Sequence, residues 1–437
     1  MKCNNSTRRG FLQSLAAAGA MNAFATGSDY KALVCVFLFG GNDCHNTVIP
    51  IQTGIQTYAP YGSIRGSLAV PQAQLLSIND GNDVYGLHPK LVELKNLYAA
   101  GRAAILPNTG MLVQPIANRQ ALFAGAPTPQ NLYSHSDQQD QWQTAYPNNL
   151  SSSGWGGRLA DFMIPSNSGG QYPSLVVTGG GGIFATGQQT YPSTVPPSGA
   201  IGLNSLSNNS ARAMGAQQVL QFDNGLQLVQ AANGVVNRGV NHAALLNGAL
   251  ASAPPLTTSF PAGSLAAQLK MVARIISVRN QLGLSRQVFF CSLGGFDTHS
   301  GQAGQHDALL QQLSQSIGSF VQATQDLLVD QQVTLFTASE FGRTLMPNSS
   351  GGTDHAWGGH HFVAGGAVLG GKMYGAFPLL ALGGPSDATS RGALIPGTSV
   401  DQMGATMARW FGVPAANLAQ IFPNLAKFPT SNLGFLG

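Results

Sequence analysis

Residues 32–39, Ala32-Leu33-Val34-Cys35-Val36-Phe37-Leu38-Phe39, are eight apolar side chains in succession, ended by Gly40-Gly41-Asn42-Asp43. Alternating polarity marks a strand with one wet face. An unbroken apolar run this short marks a strand buried on both faces, the kind found in parallel sheets covered by helices. Similar runs recur at 103–106, 174–178, 287–293 and 333–338, bounded for the most part by Gly, Pro or Asn. Between them, apolar residues at helical spacing cover 90–100, 211–251, 264–282 and 306–328. Strands alternating with helices predict an α/β fold, a doubly wound and mainly parallel sheet flanked by helices. The long helical pattern predicts an insertion or cap at about residues 205–260 within a single α/β domain spanning 30–437.

Only 9% of the 437 residues are charged, whereas Gly alone numbers 55, and the segments 149–156 and 166–210 are dense in Ser, Gly and Asn. Long uncharged loops over a well-buried centre follow from this composition. The 21 Lys and Arg exceed the 17 Asp and Glu, but Lys2, Arg8 and Arg9 fall in an N-terminal leader, and without them the balance is 18 against 17. No basic stripe remains to bind nucleic acid, and no such partner is expected. Beyond Cys3 in the leader, Cys35, Cys44 and Cys291 are odd in number and form no Cys-x-x-Cys, so a disulfide scaffold is not expected.

The leader reads Ser6-Thr7-Arg8-Arg9-Gly10-Phe11-Leu12, then an Ala/Gly-rich apolar stretch to Met21, then Ala23-Phe24-Ala25 as a cleavage site. Residues 1–25 have the form of a twin-arginine signal peptide. The twin-arginine export machinery is then the expected partner, and the periplasm or the extracellular space the expected location. No later stretch reaches the ~18 apolar residues that a membrane span requires, so none is expected in the mature form.

In open α/β sheets ligands sit beyond the carboxyl ends of the strands. Three places there carry titratable groups: Asp43 after the first run; Asp297 and His299, with His306 nearby, after 287–293; and Glu340 and Arg343 after 333–338, followed by Asp354-His355 and His360-His361. A lone histidine is usually a core or solvated residue. Three Asp with at least three His at strand ends point instead to a metal site. Mixed carboxylate and imidazole donors suit Zn, Mn or Fe, whereas Ca and Mg prefer oxygen alone.

The stretches Phe37-Leu38-Phe39-Gly40-Gly41-Asn42-Asp43, Leu87-His88-Pro89, Ser134-His135, Gly295-Phe296-Asp297-Thr298-His299, Ser339-Glu340-Phe341-Gly342-Arg343-Thr344, Gly352-Thr353-Asp354-His355 and Ser399-Val400-Asp401-Gln402 resemble the bacterial family called domain of unknown function 1501. That family is described as distantly similar to alkaline phosphatases and sulfatases. The resemblance implies two metals, Zn or Mn, one held by Asp43, Asp354 and His355, the other by Asp297, His299 and either His360 or His361, with His306 as the alternative to His299. It implies Ser134 at a helix start as the nucleophile, with a plain helix cap as the competing reading and Thr109 as a second candidate. It gives Arg343 as a bidentate clamp on a substrate oxyanion, the competing reading being a brace paired with Glu340. The chain has no Cys/Ser-x-Pro-x-Arg, so a formylglycine sulfatase is not expected. The expected function is an exported metal-dependent hydrolase of phosphate or sulfate esters, small-molecule or polysaccharide, using one or two ions. The alternative is a non-catalytic cell-envelope binding protein with a structural metal.

Overall fold

The first apolar run forms β1 (Lys31–Leu38), buried at every position but Lys31 because strands flank both its edges. The computed structural model describes residues 29–148, 151–198, 211–223 and 225–437, so the leader at 1–25 and residues 205–210 of the expected insertion lie outside the described residues. Along β1 the side chains alternate between two cores: Ala32, Val34, Val36 and Leu38 enter one, Leu33, Cys35 and Phe37 the other. The first core is closed by helices Ser264–Ser277 and Gln302–Asp326, the second by helices Trp155–Phe162 and Val400–Phe411. Helix Ser264–Ser277 docks through Leu265, Leu269, Val272 and Ile276, the three-and-four spacing of an amphipathic helix.

The other runs form β5 (Ala103–Gly110), β6 (Leu175–Val177), β8 (Arg286–Leu293) and β9 (Val333–Ala338), and with β7 (Ser193–Thr194), β10 (Gly359–Gly365) and β11 (Thr398–Ser399) they make an eight-stranded sheet ordered β11-β5-β10-β9-β1-β8-β6-β7. Every pairing is parallel except those of β10, which runs against β5 and β9. The fold is therefore α/β with a large, mainly parallel sheet between helical layers. A smaller antiparallel sheet, β2 (Val48–Gln52), β4 (Asp83–Leu87) and β3 (Leu76–Asp80), lies outside what the apolar runs predicted.

Strand β10 corrects a local expectation. His360 and His361, either of which the resemblance offers as a metal ligand, lie on a strand whose seven residues are all buried. Alternation sends them to opposite faces, where His361 packs on Trp142 (ring centroids 4.8 Å) and His360 on Phe377 (4.9 Å). The helices Ala211–Gln221 and Gln227–Ser252 follow the long helical pattern, and the second enters the core only near its end, at Ala243, Leu246, Ala249 and Leu250. No helix among the described residues is long and apolar enough to cross a membrane.

Candidate metal centre

Because β8, β1 and β9 are adjacent and parallel, their carboxyl ends open at one edge, and the loops that leave them meet there. Two glycines permit the meeting. Gly40 has φ +113°, and a Cβ on it would sit 2.3 Å from the backbone nitrogen of Asp297, so the loops after β1 and β8 cross in direct backbone contact. A Cβ on Gly352 would lie 2.2 Å from the carbonyl carbon of His299, so the loop after β9 folds down onto the loop after β8. Asp297 and His299 come from the β8 loop, Asp354 and His355 from the β9 loop. A third contributor is His135, the first residue of helix His135–Thr144, which Ser134 caps.

Around Asp297 three imidazoles converge. His299 Nε2 is 3.0 Å and His355 Nε2 3.3 Å from its Oδ1, His135 Nε2 is 3.5 Å from its Oδ2, and the two nitrogens of His299 and His355 lie 2.9 Å apart. Four donors at about 2.0–2.1 Å from one tetrahedral ion are separated by about 3.3 Å, so these spacings are those of a ligand shell.

The outer nitrogens fix which ring atoms carry protons. His135 Nδ1 meets the Glu340 carboxylate at 2.8 Å, His355 Nδ1 the Tyr133 carbonyl at 2.8 Å, and His299 Nδ1 the Asp354 carboxylate at 3.3 Å. All three partners only accept, so each Nδ1 donates, and in the neutral ring that binds a cation each Nε2 turns a lone pair inward. Two lone pairs facing each other at 2.9 Å beside a carboxylate repel unless a proton or a cation lies between them. His135 Nε2, moreover, is a buried nitrogen with no hydrogen-bond partner. The residues present fit a single divalent ion with a carboxylate–histidine outer shell.

The segment Ser339–Thr344 braces this arrangement almost residue by residue. Glu340 is fully buried and accepts from Gly40 N (2.8 Å), Gln139 Nε2 (2.9 Å) and His135. The Phe341 ring packs at 4.8 Å against both His135 and His355. Arg343 donates to Asp297 Oδ1 at 2.7 Å, and Thr344 Oγ1 accepts from Asp354 N at 3.1 Å. The hydrogen bond to Glu340 is the main reason the His135 imidazole titrates above its usual range, whereas burial pushes His355 down. Burial works against the charge of Asp297, but Arg343 and the surrounding imidazoles outweigh it and hold the carboxyl below its ordinary range.

The family model described as protein of unknown function (DUF1501) matches residues 30–421. This chain is a DUF1501 protein. No functionally curated protein matches its sequence. Solved structures similar to it include Ps i-CgsB (9% identity, 91% of this chain and 76% of that one, TM-score 0.37) and the lipoteichoic acid synthase LtaP from Listeria monocytogenes (8%, 91% and 76%, 0.36). A 2-O GAG sulfatase is another (10%, 88% and 72%, 0.36).

Of the ligands that its sequence suggested, this DUF1501 protein brings Asp297, His299 and His355 together and sets Asp354 behind His299. Asp43 is elsewhere. It is wholly buried in an ion pair with Arg65, accepts from Gln302 Nε2 and from His45 N (3.1 Å), and has no imidazole among its hydrogen-bond partners. Burial pushes its carboxyl up, but Arg65 and neighbouring groups more than reverse this, to about 2. His306 is buried and bonded to Asn42 Oδ1 (2.9 Å), away from the cluster. Arg343 pairs with Asp297 rather than with Glu340. Its buried guanidinium also donates to Gly40 O (3.2 Å), Thr353 Oγ1 (3.2 Å) and Thr353 O, which leaves no free fork for a substrate. Ser134 Oγ donates to Asp137 Oδ2 at 2.5 Å and accepts from Asp137 N, as a helix cap does. Thr109 is buried within β5. The residues that spacing alone did not single out are His135, whose only signal was its place directly after the cap, and Arg391, which reaches Asp354 Oδ2 at 2.6 Å from a distant loop. The ligand atoms of His135, Asp297 and His355 all lie within 4.8 Å of one another.

Proposed function

We propose that this chain is an exported hydrolase of phosphate or sulfate esters that works with one divalent ion, Zn or Mn, held by His135, Asp297 and His355, with the more exposed His299 beside them. The observation that carries the reading is the set of three inward lone pairs facing one carboxylate, each fixed by an acceptor on the opposite ring nitrogen. A catalytic role is favoured over a structural one by exposure, since Asp297 and His299 are 46% and 45% open to solvent, and structural ions are usually enclosed. Export rests on the twin-arginine leader.

An ion bound there would supply Lewis acidity to an ester oxygen. The chain's own residues do the remaining work. Arg343 keeps Asp297 ionised and fixed in place. Glu340 and the Tyr133 carbonyl hold the His135 and His355 rings so that their lone pairs point inward, and Phe341 packs against both rings. Water is the attacking group in this reading, because the Ser134 hydroxyl is committed to Asp137.

The test is elemental analysis of protein purified from its export compartment, together with turnover on a panel of phosphate and sulfate esters. About one Zn or Mn per chain is expected. His355→Ala should lose metal and turnover together, and Ser134→Ala should keep both. Metal-free wild-type protein overturns the reading, as does full turnover by His355→Ala.

A further inference from the structure

Helix Gln227–Ser252 carries a single seam along its length, and the body of the protein covers only half of it. The seam begins with Leu228, Ala232, Val235 and Gly239 and runs on through His242, Leu246 and Ala249, in alternating steps of four and three residues, the spacing of a helix packed lengthwise on another. Its last three positions meet the body: Leu246 and Ala249 are buried, and His242 packs on Tyr172 (ring centroids 5.7 Å). Its first four are bare, with Leu228 82% and Val235 61% exposed and Ala232 and Gly239 open to solvent between them. The preceding helix, Ala211–Gln221, has no buried residue, and the turn that follows it is tied to the far flank of the long helix, where Gln230 Nε2 donates to Asp223 Oδ1 (2.9 Å) and Asn233 Nδ2 to Phe222 O (3.1 Å). A helix of 11 residues is marginal in water without packing, so this hairpin calls for a partner.

Charge and shape both say which partner. None of the four bare positions is charged, and from 211 to 242 the only charges are Arg212, Asp223 and Arg238. A two-fold pair sets one surface against itself, so a charged seam would face its own sign, and this one does not. The bare side chains also alternate large, small, large, small. Turned antiparallel about a two-fold axis, that order fits itself: Leu228 stands opposite Gly239 of a second copy, and Val235 opposite its Ala232. Glycine in mid-helix weakens the helix, and a Cβ on Gly239 would meet nothing within 4 Å in its own chain, so the single chain gives no reason for it. Room for a leucine from a second copy does.

We propose that the bare seam is a dimer interface filled by a second copy of this chain, the two helical hairpins packing antiparallel as a four-helix bundle. Residues 211–242 suffice for the roughly 20–30 residues that each side of a standard interface contributes.

The test is analytical ultracentrifugation of the purified protein at micromolar concentration, with circular dichroism on each variant to show that it is folded. The wild type is expected to sediment as a dimer. Val235→Glu changes a side chain that the single chain leaves exposed, yet it should raise the dimer dissociation constant about a hundredfold or more, because the interface would bury an unpaired charge. Gly239→Leu should also weaken the dimer, by filling the space that Leu228 of the second copy takes. Leu228→Ala combined with Gly239→Leu reverses the order of large and small and should restore it, and Gln230→Glu, on the far flank, should leave it intact. A monomeric wild type overturns the proposal, and binding of that monomer to phosphatidylcholine vesicles would give the seam to a lipid surface instead. A dimer that Val235→Glu leaves unchanged overturns it too, by placing the interface elsewhere, and a double variant that stays monomeric overturns the antiparallel pairing.

Discussion

Glu340 sets the chemistry of a residue 205 positions away. Its buried carboxylate gathers three donors, and one of them, His135 Nδ1, thereby loses any choice of tautomer. A glutamine in its place keeps the shape and one acceptor oxygen for the three donors, which all reach Oε1, but removes the charge that makes the His135 imidazole a stronger ligand. Glu340→Gln is therefore expected to weaken metal binding about 10–100-fold, read by competition with a chelating dye. An unchanged affinity would show that Glu340 only braces the loop. Legibility at this scale depended on whether a residue's partner is local. Asp297, His299 and His355 announced themselves by following buried strands within glycine-rich loops. Asp43 stands in the same pattern, yet Arg65, at the end of helix Tyr58–Arg65, neutralises it from 22 residues away, and no spacing encodes that encounter. His135 was overlooked for the opposite reason, because the neighbouring Ser134 drew the chemical reading to itself.

Among the elements, β10 is where composition misled most. Gly359-His360-His361-Phe362-Val363-Ala364-Gly365 looks like a ligand loop because two histidines lie between glycines, but its central apolar residues fill the space between β5 and β9. The flanking glycines are explained by packing: a Cβ on Gly365 would meet the Val333 carbonyl oxygen at 2.3 Å. The strand also carries a measurable cost. The His361 ring is buried beneath Trp142, with only a marginal backbone contact at Thr109 and no well-formed hydrogen bond on either nitrogen. An unsatisfied buried polar atom costs about 1–3 kcal/mol, so His361→Leu, similar in size and wholly apolar, is expected to leave stability unchanged or raise it by about 1 kcal/mol or more, measured by urea unfolding. The same variant should bind metal as the wild type does, and loss of metal from it would return His361 to the ligand set. Strands β1, β5, β6, β8 and β9 were legible because burial on both faces leaves only apolar residues. The small sheet of β2, β3 and β4 was not, since Leu76-Ser77-Ile78-Asn79-Asp80 is too short and too polar to stand out from a loop.

At the scale of the whole molecule, the unusual feature is how many histidines the fold keeps neutral. Burial pushes His45 down to about 4, and His306, His360 and His361 down to about 3, and none of the four belongs to the imidazole cluster. Below the ordinary histidine value of about 6.5 the unfolded chain takes up protons that the folded chain refuses, so stability falls with pH from there until the folded values are reached near 3–4. Each such group costs about 2 kcal/mol by pH 5, and four of them compare with the ~5–15 kcal/mol that usually holds a domain together. The Asp43–Arg65 pair moves in another window, because a carboxyl lowered to about 2 contributes fully above its ordinary range and fails only as pH drops towards that value. Burial raises the Asp401 carboxyl to about 7, and that group gains stability as pH falls through the same interval, but four imidazoles outweigh one carboxyl, so acid unfolding should begin in the histidine range. Urea titrations at pH 7.5, 6 and 5 with a chelator present, so that metal release adds nothing, are expected to show the midpoint falling steeply across that interval. A midpoint that stays level to pH 5 would mean that these imidazoles take up protons in the folded protein as readily as in the unfolded chain.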